Sequence, residues 1–231
     1  VIGTHKLLGK AVKFHDLGLL VIDEEQRFGV SHKERIKDLK RSVDVLTLTA
    51  TPIPRTLEMA MTGIRDMSTI DTPPSQRKEV QAYVAAFDWG LVRSAVLKEL
   101  ARGGQVYFVC RKIGEMEYLE RMLRQTVPEA RICTAHGQMG EVDFDRVVTA
   151  FLEREYDVLL CTTIIESGID IPSVNTLIVY EGEKCGLAQL YQLKGRVGRS
   201  KVRAYAYFPH WGGEAMRKTA AKRLNAIREF T

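Results

Sequence analysis

The sequence contains few cysteines, and they are far apart. Cysteine occurs at positions 110, 133, 161 and 185, and no C-x-x-C pair is present. This spacing gives little support to either a zinc site or a disulfide framework. Cys110 and Cys161 lie within apolar runs, where a buried cysteine behaves as a small hydrophobic residue. The pattern predicts reduced thiols and a cytoplasmic protein.

Long apolar runs are also missing. No stretch approaches the roughly 20 apolar residues that a membrane-spanning helix needs. The first residues, Val1-Ile2-Gly3-Thr4-His5, have neither an initiating Met nor the pattern of a signal peptide. The chain is therefore expected to be soluble and to begin within a longer protein. With 45% hydrophobic and 27% charged residues, the composition excludes disordered and fibrous classes.

The charge is slightly positive and unevenly distributed. Lys and Arg number 34 and Asp and Glu 29, a formal net charge of +5 at pH 7. No acidic residue occurs between Glu183 and Glu214. The basic residues clustered there are Lys184, Lys194, Arg196, Arg199, Lys201 and Arg203. This stretch is either an anion-binding surface or a solvated basic helix face, and the glycines within it favour the first because glycine weakens a helix.

Short apolar runs alternate with helical patterns. Apolar runs bounded by polar turns are typical of strands in a parallel sheet covered on both faces. The strand candidates are 17–22, 43–48, 80–84, 105–110, 130–134, 157–161, 176–180 and 203–208. Helical spacing of apolar residues occurs at 32–39, 91–101, 115–123, 141–152, 187–193 and 214–230. The alternation predicts an α/β doubly wound fold.

One segment interrupts this alternation. Thr72-Pro73-Pro74-Ser75 neither continues a helix nor donates to a central strand ladder, so a domain boundary is expected near residue 76. The part before it carries two clear strands, too few to complete a parallel sheet. The N-terminal part of that first domain is therefore expected to be missing.

Two carboxylates follow the first predicted strand, in the sequence Asp23-Glu24-Glu25-Gln26. In α/β proteins, ligands bind beyond the carboxyl ends of strands. Nucleotide hydrolysis needs one carboxylate for magnesium and another group for the attacking water. The interpretation is that Asp23 holds Mg²⁺ through water and Glu24 is the base. The alternative is an acidic loop beside the basic run 27–41.

Two other strand ends carry candidate ligand-binding residues. Thr49 and Thr51 follow the second predicted strand, where hydroxyl groups bond a neighbouring loop or a phosphate, although the same residues form an ordinary strand exit. Residues 162–172 follow a later strand. There Gly168 allows a close backbone approach to a ligand, and Asp170 is placed to accept a hydrogen bond from a ribose hydroxyl.

The segment Gln192–Ser200 is the most informative of all. Arg196 and Arg199 would lie on one face if the segment were helical. The forked guanidinium group suits phosphate in a way that lysine does not. One arginine directed at a γ-phosphate contributes roughly 10³- to 10⁵-fold in rate. The segment therefore predicts phosphate recognition.

Taken in order, these segments resemble motifs II, III, V and VI of the superfamily-two helicases and translocases. The matching residues are Asp23–Gln26, Thr49–Pro52, Thr162–Pro172 and Gln192–Arg199. Within the superfamily, the chain is similar to the branch of the bacterial transcription-repair coupling factors and the RecG branch-migration helicases. The segments similar to that branch are Gly3–Leu7, Asp23–Val30, Leu48–Thr56 and His136–Met139. Ile164–Pro172 and Ala221–Phe230 favour the transcription-repair coupling factors.

The resemblance implies roles for individual residues and implies ATP and Mg²⁺ as cofactors. Asp23 and Glu24 would be the magnesium-holding and water-activating acids, and Gln26 would couple nucleotide state to motif III. The residues implied to contact nucleotide are Gly168, Asp170 and Gln192, with Arg196 and Arg199 as arginine fingers. The residues implied to border the DNA backbone are Thr4, His5, Arg55, His136, Gly137 and Thr162.

The resemblance also implies tandem RecA-like parallel-sheet domains, the first incomplete at its N-terminus. Residues 1–76 would be the C-terminal half of the first domain, 77–208 the second domain, and 209–231 the start of a translocation helical hairpin. The sequence contains no G-x-x-x-x-G-K-[ST] phosphate loop. The 231 residues alone are therefore expected not to hydrolyse ATP.

The implied activity is ATP-driven translocation on double-stranded DNA that displaces stalled RNA polymerase and couples transcription to DNA repair. RNA polymerase and nucleotide-excision repair proteins would bind through modules outside these residues, and no membrane partner is expected. Two alternatives remain open. One is a RecG-type helicase acting on branched DNA, and the other is a non-catalytic nucleic-acid-binding module.

Overall fold

A computed structural model describes residues 1–9, 11–24, 28–39, 42–49, 66, 68–70, 72, 78–162, 171–211 and 218–229. The chain divides into two units, Val1–Ile70 and Asp71–Thr231. None of the helices in these ranges is long and apolar enough to cross a membrane.

The first unit is built on two parallel strands. β1 (Leu19–Asp23) pairs with β2 (Asp44–Leu48), with Asp23 opposite Leu48. Helix α1 (Val30–Leu39) lies between them in the chain. Ile22 on β1 and Ile36 on α1 are buried, at 3% and 1% exposure.

One face of this small sheet is apolar and exposed. Because side chains alternate along a strand, the register places four aliphatic residues on the same face. They are Leu19, Val21, Leu46 and Leu48, which are 57%, 52%, 51% and 44% exposed. Ile22, on the opposite face, is buried. The described residues of this unit therefore cover one face of the sheet and leave the other open.

The second unit contains a six-stranded sheet in the order β3-β8-β7-β4-β6-β5, and every neighbouring pair is parallel. The strands are β3 (Gln81–Ala86), β4 (Gln105–Val109), β5 (Ile132–Ala135), β6 (Val158–Cys161), β7 (Val174–Val179) and β8 (Tyr205–His210). The helices are α2 (Trp89–Leu100), α3 (Met116–Thr126), α4 (Glu141–Leu152), α5 (Leu187–Lys194) and α6 (Lys218–Glu229). The predicted parallel α/β fold is confirmed.

Alternation along β4 shows how the sheet is covered on both faces. All five residues of β4 are buried. Val106 and Phe108 pack with side chains of α2 and α3, such as Val96. Tyr107 packs on the other face with side chains of α4, α5 and α6, such as Phe151. The unit therefore has three layers, with the sheet between two layers of helices.

Candidate nucleotide and DNA interface

Asp23 and Glu24 lie where β1 ends. The Asp23 side chain is exposed, and Glu24 has a φ of +54°. A left-handed backbone at a residue other than glycine costs on the order of 1–3 kcal/mol and is concentrated at functional sites. The Glu24 N–H donates to the Leu48 carbonyl at the end of β2, at 3.0 Å. This hydrogen bond holds Glu24 at the carboxyl edge of the sheet, near Thr49.

The exposed carboxylate of Asp23 fits the predicted magnesium role. In nucleotide sites Mg²⁺ is bound by one or two carboxylates together with substrate phosphates and water, so a single acid is a sufficient protein ligand. Within the described ranges, no group of three or more His, Cys, Asp or Glu side chains is placed to hold a metal ion. Gln26, predicted to act beside these acids, lies outside the described residues.

A short 3₁₀ turn spans His5–Leu8, and Thr4 directly precedes it. The Thr4 hydroxyl accepts a hydrogen bond from the Lys6 N–H at 3.4 Å and so caps this turn. The His5 ring lies edge-on to the His32 ring of α1, 5.2 Å between centroids. Thr4 and His5 are both exposed. Arg55, the third DNA-contact residue predicted in this unit, lies outside the described residues.

His136 and Thr162 are brought together at the carboxyl edge of the second sheet. Ala135 and Cys161, the last residues of β5 and β6, are register partners, so the two predicted DNA-contact residues follow adjacent strand ends. Thr162 is 9% exposed, and Gly137 beside His136 is exposed.

The His136 ring retains an unused polar atom. Its Nδ1 is buried and has no hydrogen-bond partner among the described residues. The backbone N–H of His136 donates to the sulfur of Met139 at 3.4 Å, which fixes the turn that carries the ring. Because buried polar groups are rarely left unpaired in proteins, a bound water molecule is expected to pair with this nitrogen.

The arginines of the phosphate-recognition segment are not on one helical face. Helix α5 ends at Lys194, with Gly195 as its C-cap, and Arg196 and Arg199 follow in a turn. The Arg199 Nε donates to the Gly195 carbonyl at 3.3 Å. Arg199 is exposed and Arg196 is half-buried, as is Gln192 on α5. The condition for one shared helical face is therefore not met, and both arginines follow the end of the helix instead.

Gly198 holds this turn against the sheet. Its φ is +76°, and a Cβ added there would lie 2.8 Å from Val80 Cγ2 and 3.2 Å from Ala204 Cβ. Val80 precedes β3, and Ala204 precedes β8. The Ser200 hydroxyl donates to the Asn175 side-chain carbonyl near the start of β7, at 2.9 Å. The arginine turn thus lies at the amino ends of the strands, opposite the edge that carries His136.

Glu181 was not predicted from sequence as a site residue, and Lys194 was named only as a member of the basic stretch. Glu181 follows β7 with a φ of +56°, is 8% exposed, and forms an ion pair with Lys184. Its position directly after a strand is the same signal that identified Asp23. Lys194 is 8% exposed, and burial lowers its pKa. Gly168 and Asp170 lie outside the described residues.

Helix α6 is docked on α5 through backbone carbonyls. The Arg223 guanidinium donates to the carbonyls of Cys185 and Glu183, at 3.1 and 2.9 Å. The Lys194 ammonium and the Tyr191 hydroxyl donate to carbonyls near the C-terminal end of α6, each at 3.5 Å. The helix that carries Gln192 is therefore tied to the last described helix of the chain.

Four of the six strands of the second sheet and the arginine turn lie in a segment that matches a family model. Residues 91–201 match the family described as the helicase conserved C-terminal domain. These residues include β4 to β7, α2 to α5, and both arginines. Residues 91–201 of the second unit are thus similar to helicase C-terminal domains, and the parallel sheet has the RecA-like fold of such domains.

The similarity to particular proteins covers the whole chain. Over all 231 residues, the chain is 58% identical to the transcription-repair-coupling factor of Bacillus subtilis (strain 168) and 54% identical to that of Staphylococcus epidermidis (strain ATCC 35984). It spans 20% of the length of each relative. The predicted resemblance to the transcription-repair coupling factors is confirmed.

Solved helicase structures superpose on this chain and support the same fold. A structure of RecG bound to a three-way DNA junction superposes with a TM-score of 0.74 at 36% identity, covering 100% of this chain and 30% of that one. Saccharomyces cerevisiae Dbp5 L327V bound to RNA and ADP BeF3 superposes with a TM-score of 0.69 at 18% identity, covering 98% and 60% of the two chains. The second likeness shows the fold alone.

Proposed function

We propose that the chain is the motor segment of an ATP-dependent double-stranded DNA translocase that displaces stalled RNA polymerase and couples transcription to DNA repair. The observation that carries the proposal is the 58% identity to a transcription-repair-coupling factor across all 231 residues. RNA polymerase and nucleotide-excision repair proteins bind through other parts of the full protein. The protein acts in the cytoplasm.

The proposed domains follow the sequence prediction. Residues 1–76 are the C-terminal half of the first RecA-like domain, 77–208 are the second, and 209–231 begin a translocation hairpin. The open aliphatic face of β1 and β2, with Leu19 and Leu46 more than half exposed, supports the first assignment. Fully burying a side chain of this size stabilises a fold by about 1.5–3 kcal/mol, so a further layer of the same domain is favoured there.

In the proposed ATPase site, Asp23 would hold Mg²⁺ through water, and the ion would supply positive charge to the phosphates. Glu24 orients and deprotonates the attacking water. Arg196 and Arg199 stabilise charge on the γ-phosphate from the turn that Gly198 fixes. The remaining proposed nucleotide contacts are Gln26, Gly168, Asp170 and Gln192.

The proposed duplex contacts are made to the DNA backbone. His136, Gly137 and Thr162 act from the carboxyl edge of the second sheet, and Thr4, His5 and Arg55 act from the first unit. Contacts of this kind position a protein on DNA without reading its sequence. The exposed backbone of Gly137, beside His136, supports the assignment.

A RecG-type helicase acting on branched DNA is the second candidate. It is favoured by one observation, the superposition of the entire chain on RecG bound to a three-way DNA junction. A non-catalytic nucleic-acid-binding module is the third candidate, because the 231 residues contain no phosphate loop of the G-x-x-x-x-G-K-[ST] type.

Steady-state ATPase measurements with and without duplex DNA test the proposal. The 231 residues alone are expected to show negligible turnover. The same residues, grafted into the Bacillus subtilis factor in place of the fifth of that protein that they match, are expected to show DNA-stimulated turnover. Strong and equal turnover by the short chain would contradict the proposed site.

The graft also tests the role of Glu24. General acid–base groups contribute about 10²- to 10⁴-fold in rate, so Glu24→Gln is expected to lower kcat at least about 100-fold while ATP binding is retained. Glu34→Gln, at an exposed position on α1, is the matched control and should leave kcat unchanged. Retained turnover in Glu24→Gln would remove Glu24 from the base role.

A further inference from the structure

Three tyrosines form a cluster on one face of β3 and β8. Tyr83 on β3 and Tyr207 on β8 are register partners, and their rings stack at 5.2 Å between centroids and 16° between planes. Tyr205 lies 6.2 Å from Tyr83. Among the described strands, β3 has a neighbour on one side only. Tyr83 therefore contacts both other rings and lies at the edge of the sheet, where it is 44% exposed.

The tyrosine cluster is accessible to solvent because the nearest helix packs on other strands of the sheet. Helix α2 contacts β7 and β4 on this face, which leaves the three rings beside it half-buried or exposed. Arg102 follows α2, and its guanidinium lies 4.9 Å from the centroid of the Tyr205 ring. Arg102 forms an ion pair with Glu99, and its guanidinium donates a hydrogen bond to the Arg203 carbonyl at 2.8 Å. The Tyr205 ring is thus already stacked against the Arg102 guanidinium.

A cationic cavity adjoins Tyr83 in this cluster. It has a volume of about 540 Å³. Its charged and polar lining residues are Lys78, Glu79, Gln81, Tyr83, Arg203 and Arg228. Three are cations and one is an acid, so the lining attracts anions. The Tyr83 hydroxyl donates to the Gln81 side-chain carbonyl at 3.2 Å, which restrains the ring at the mouth of the cavity.

A planar ring beside clustered cations matches the chemistry of a nucleotide. Aromatic side chains bind successive bases of single strands by stacking, and a positive groove follows the phosphates. The cavity volume is within the range of small-molecule sites, about 300–1,000 Å³, and so accommodates a nucleotide unit. An acidic peptide would use the cations, but it would leave the face of Tyr83 without a planar partner.

We propose that this surface binds single-stranded nucleic acid, with one base stacked on the outer face of Tyr83 and the neighbouring phosphates on Lys78, Arg203 and Arg228. The cavity lies at the amino ends of β3 and β8. The duplex contacts proposed above, at His136 and Thr162, lie at the carboxyl ends of β5 and β6. The single-strand surface is therefore additional to the proposed duplex interface and does not depend on it.

Fluorescence anisotropy of fluorescein-labelled dT12 with the 231-residue chain tests the inference. Stacking on one aromatic side chain accounts for about 1–3 kcal/mol, so Tyr83→Ala should weaken binding about 5- to 150-fold, and Tyr83→Phe should bind as the unchanged chain does. Tyr118→Ala is the matched control, because Tyr118 is 47% exposed and lies beside Arg121, 6.0 Å from its ring centroid, on another surface. Equal affinities for Tyr83→Ala and Tyr118→Ala would overturn the proposal.

Two further measurements keep the proposal testable if Tyr83→Ala folds poorly. Each phosphate contact to a single strand contributes about 0.7 to the slope of log affinity against log salt, so Arg203→Ala should reduce that slope by about 0.7. Photocrosslinking of the unchanged chain to dT12 carrying 5-iodouracil should label Tyr83. Crosslinks confined to other surfaces, or displacement of dT12 by dTMP or polyglutamate as effective as by unlabelled dT12, would overturn it.

Discussion

Replacing Gly198 with alanine tests how tightly the arginine turn is held against the second sheet. Two penalties add at this position. A left-handed backbone costs an L-residue about 1–2 kcal/mol, and Gly198 has a φ of +76°. The new Cβ would also lie 2.8 Å from Val80 and 3.2 Å from Ala204, and overpacking of this kind costs about 1–3 kcal/mol. Gly198→Ala is therefore expected to lower the free energy of unfolding of the second unit by about 2–5 kcal/mol.

Gly103→Ala separates the two penalties. Gly103 has a similar φ of +70°, and nothing lies within 4 Å of a Cβ added there. It therefore carries the backbone penalty alone, about 1–2 kcal/mol. The difference between the two variants, about 1–3 kcal/mol, measures the steric contact of the turn with Val80 and Ala204.

Urea unfolding followed by tryptophan fluorescence measures both variants. The chain has two tryptophans, Trp89 and Trp211, and both contact Phe87 in the second unit, at 5.1 and 4.7 Å between ring centroids. The signal therefore reports on that unit. Equal unfolding midpoints and slopes for Gly198→Ala and Gly103→Ala would refute the close packing of the turn.

Two titration predictions follow from buried groups. Although burial opposes ionisation of Asp157, three hydrogen bonds from Arg131 hold the Asp157 pKa below its ordinary value. This stabilisation is present above the unfolded-state pKa of about 3.9 and is lost as the pH falls through the lower folded-state pKa. The free energy of unfolding, measured with urea, should exceed that of Asp157→Asn by less at pH 3 than at pH 7. The same difference at both pH values would contradict this. Burial raises the pKa of Cys110 to about 11 and that of Cys133 to about 12. The thiols of the folded chain should therefore react with Ellman's reagent at pH 8 far more slowly than those of the chain unfolded in urea. Equal rates would contradict this, because they would show that the thiols are accessible in the folded chain.

Most secondary structure could be predicted because strand and helix periods differ in the sequence. Helix α4, predicted at 141–152, has those bounds, since its apolar residues recur at helical spacing. Strand β7 begins at Val174 rather than at the predicted residue 176. Polar Asn175 is buried there because it is hydrogen-bonded to Ser200. A partner 25 residues away in the chain leaves no local signal.

The site was less predictable because its geometry depends on tertiary contacts. The strand ends that carry His136 and Thr162 follow from the apolar runs before them. The turn after α5 does not follow, because it depends on the approach of Gly198 to Val80. The close approach of Gly182 to β8 likewise depends on tertiary packing, since a Cβ added there would lie 3.3 Å from Phe208 Cβ.

Release of stalled RNA polymerase tests the proposed function most directly. The 231 residues are grafted into the Bacillus subtilis factor in place of the fifth that they match, and polymerase stalled on linear duplex DNA is followed by gel shift. The graft should release polymerase when ATP is added, as the unaltered factor does, and its Glu24→Gln form should not. A graft that hydrolyses ATP on DNA and unwinds a three-way junction, yet leaves polymerase in place, would contradict the account and favour a RecG-type helicase.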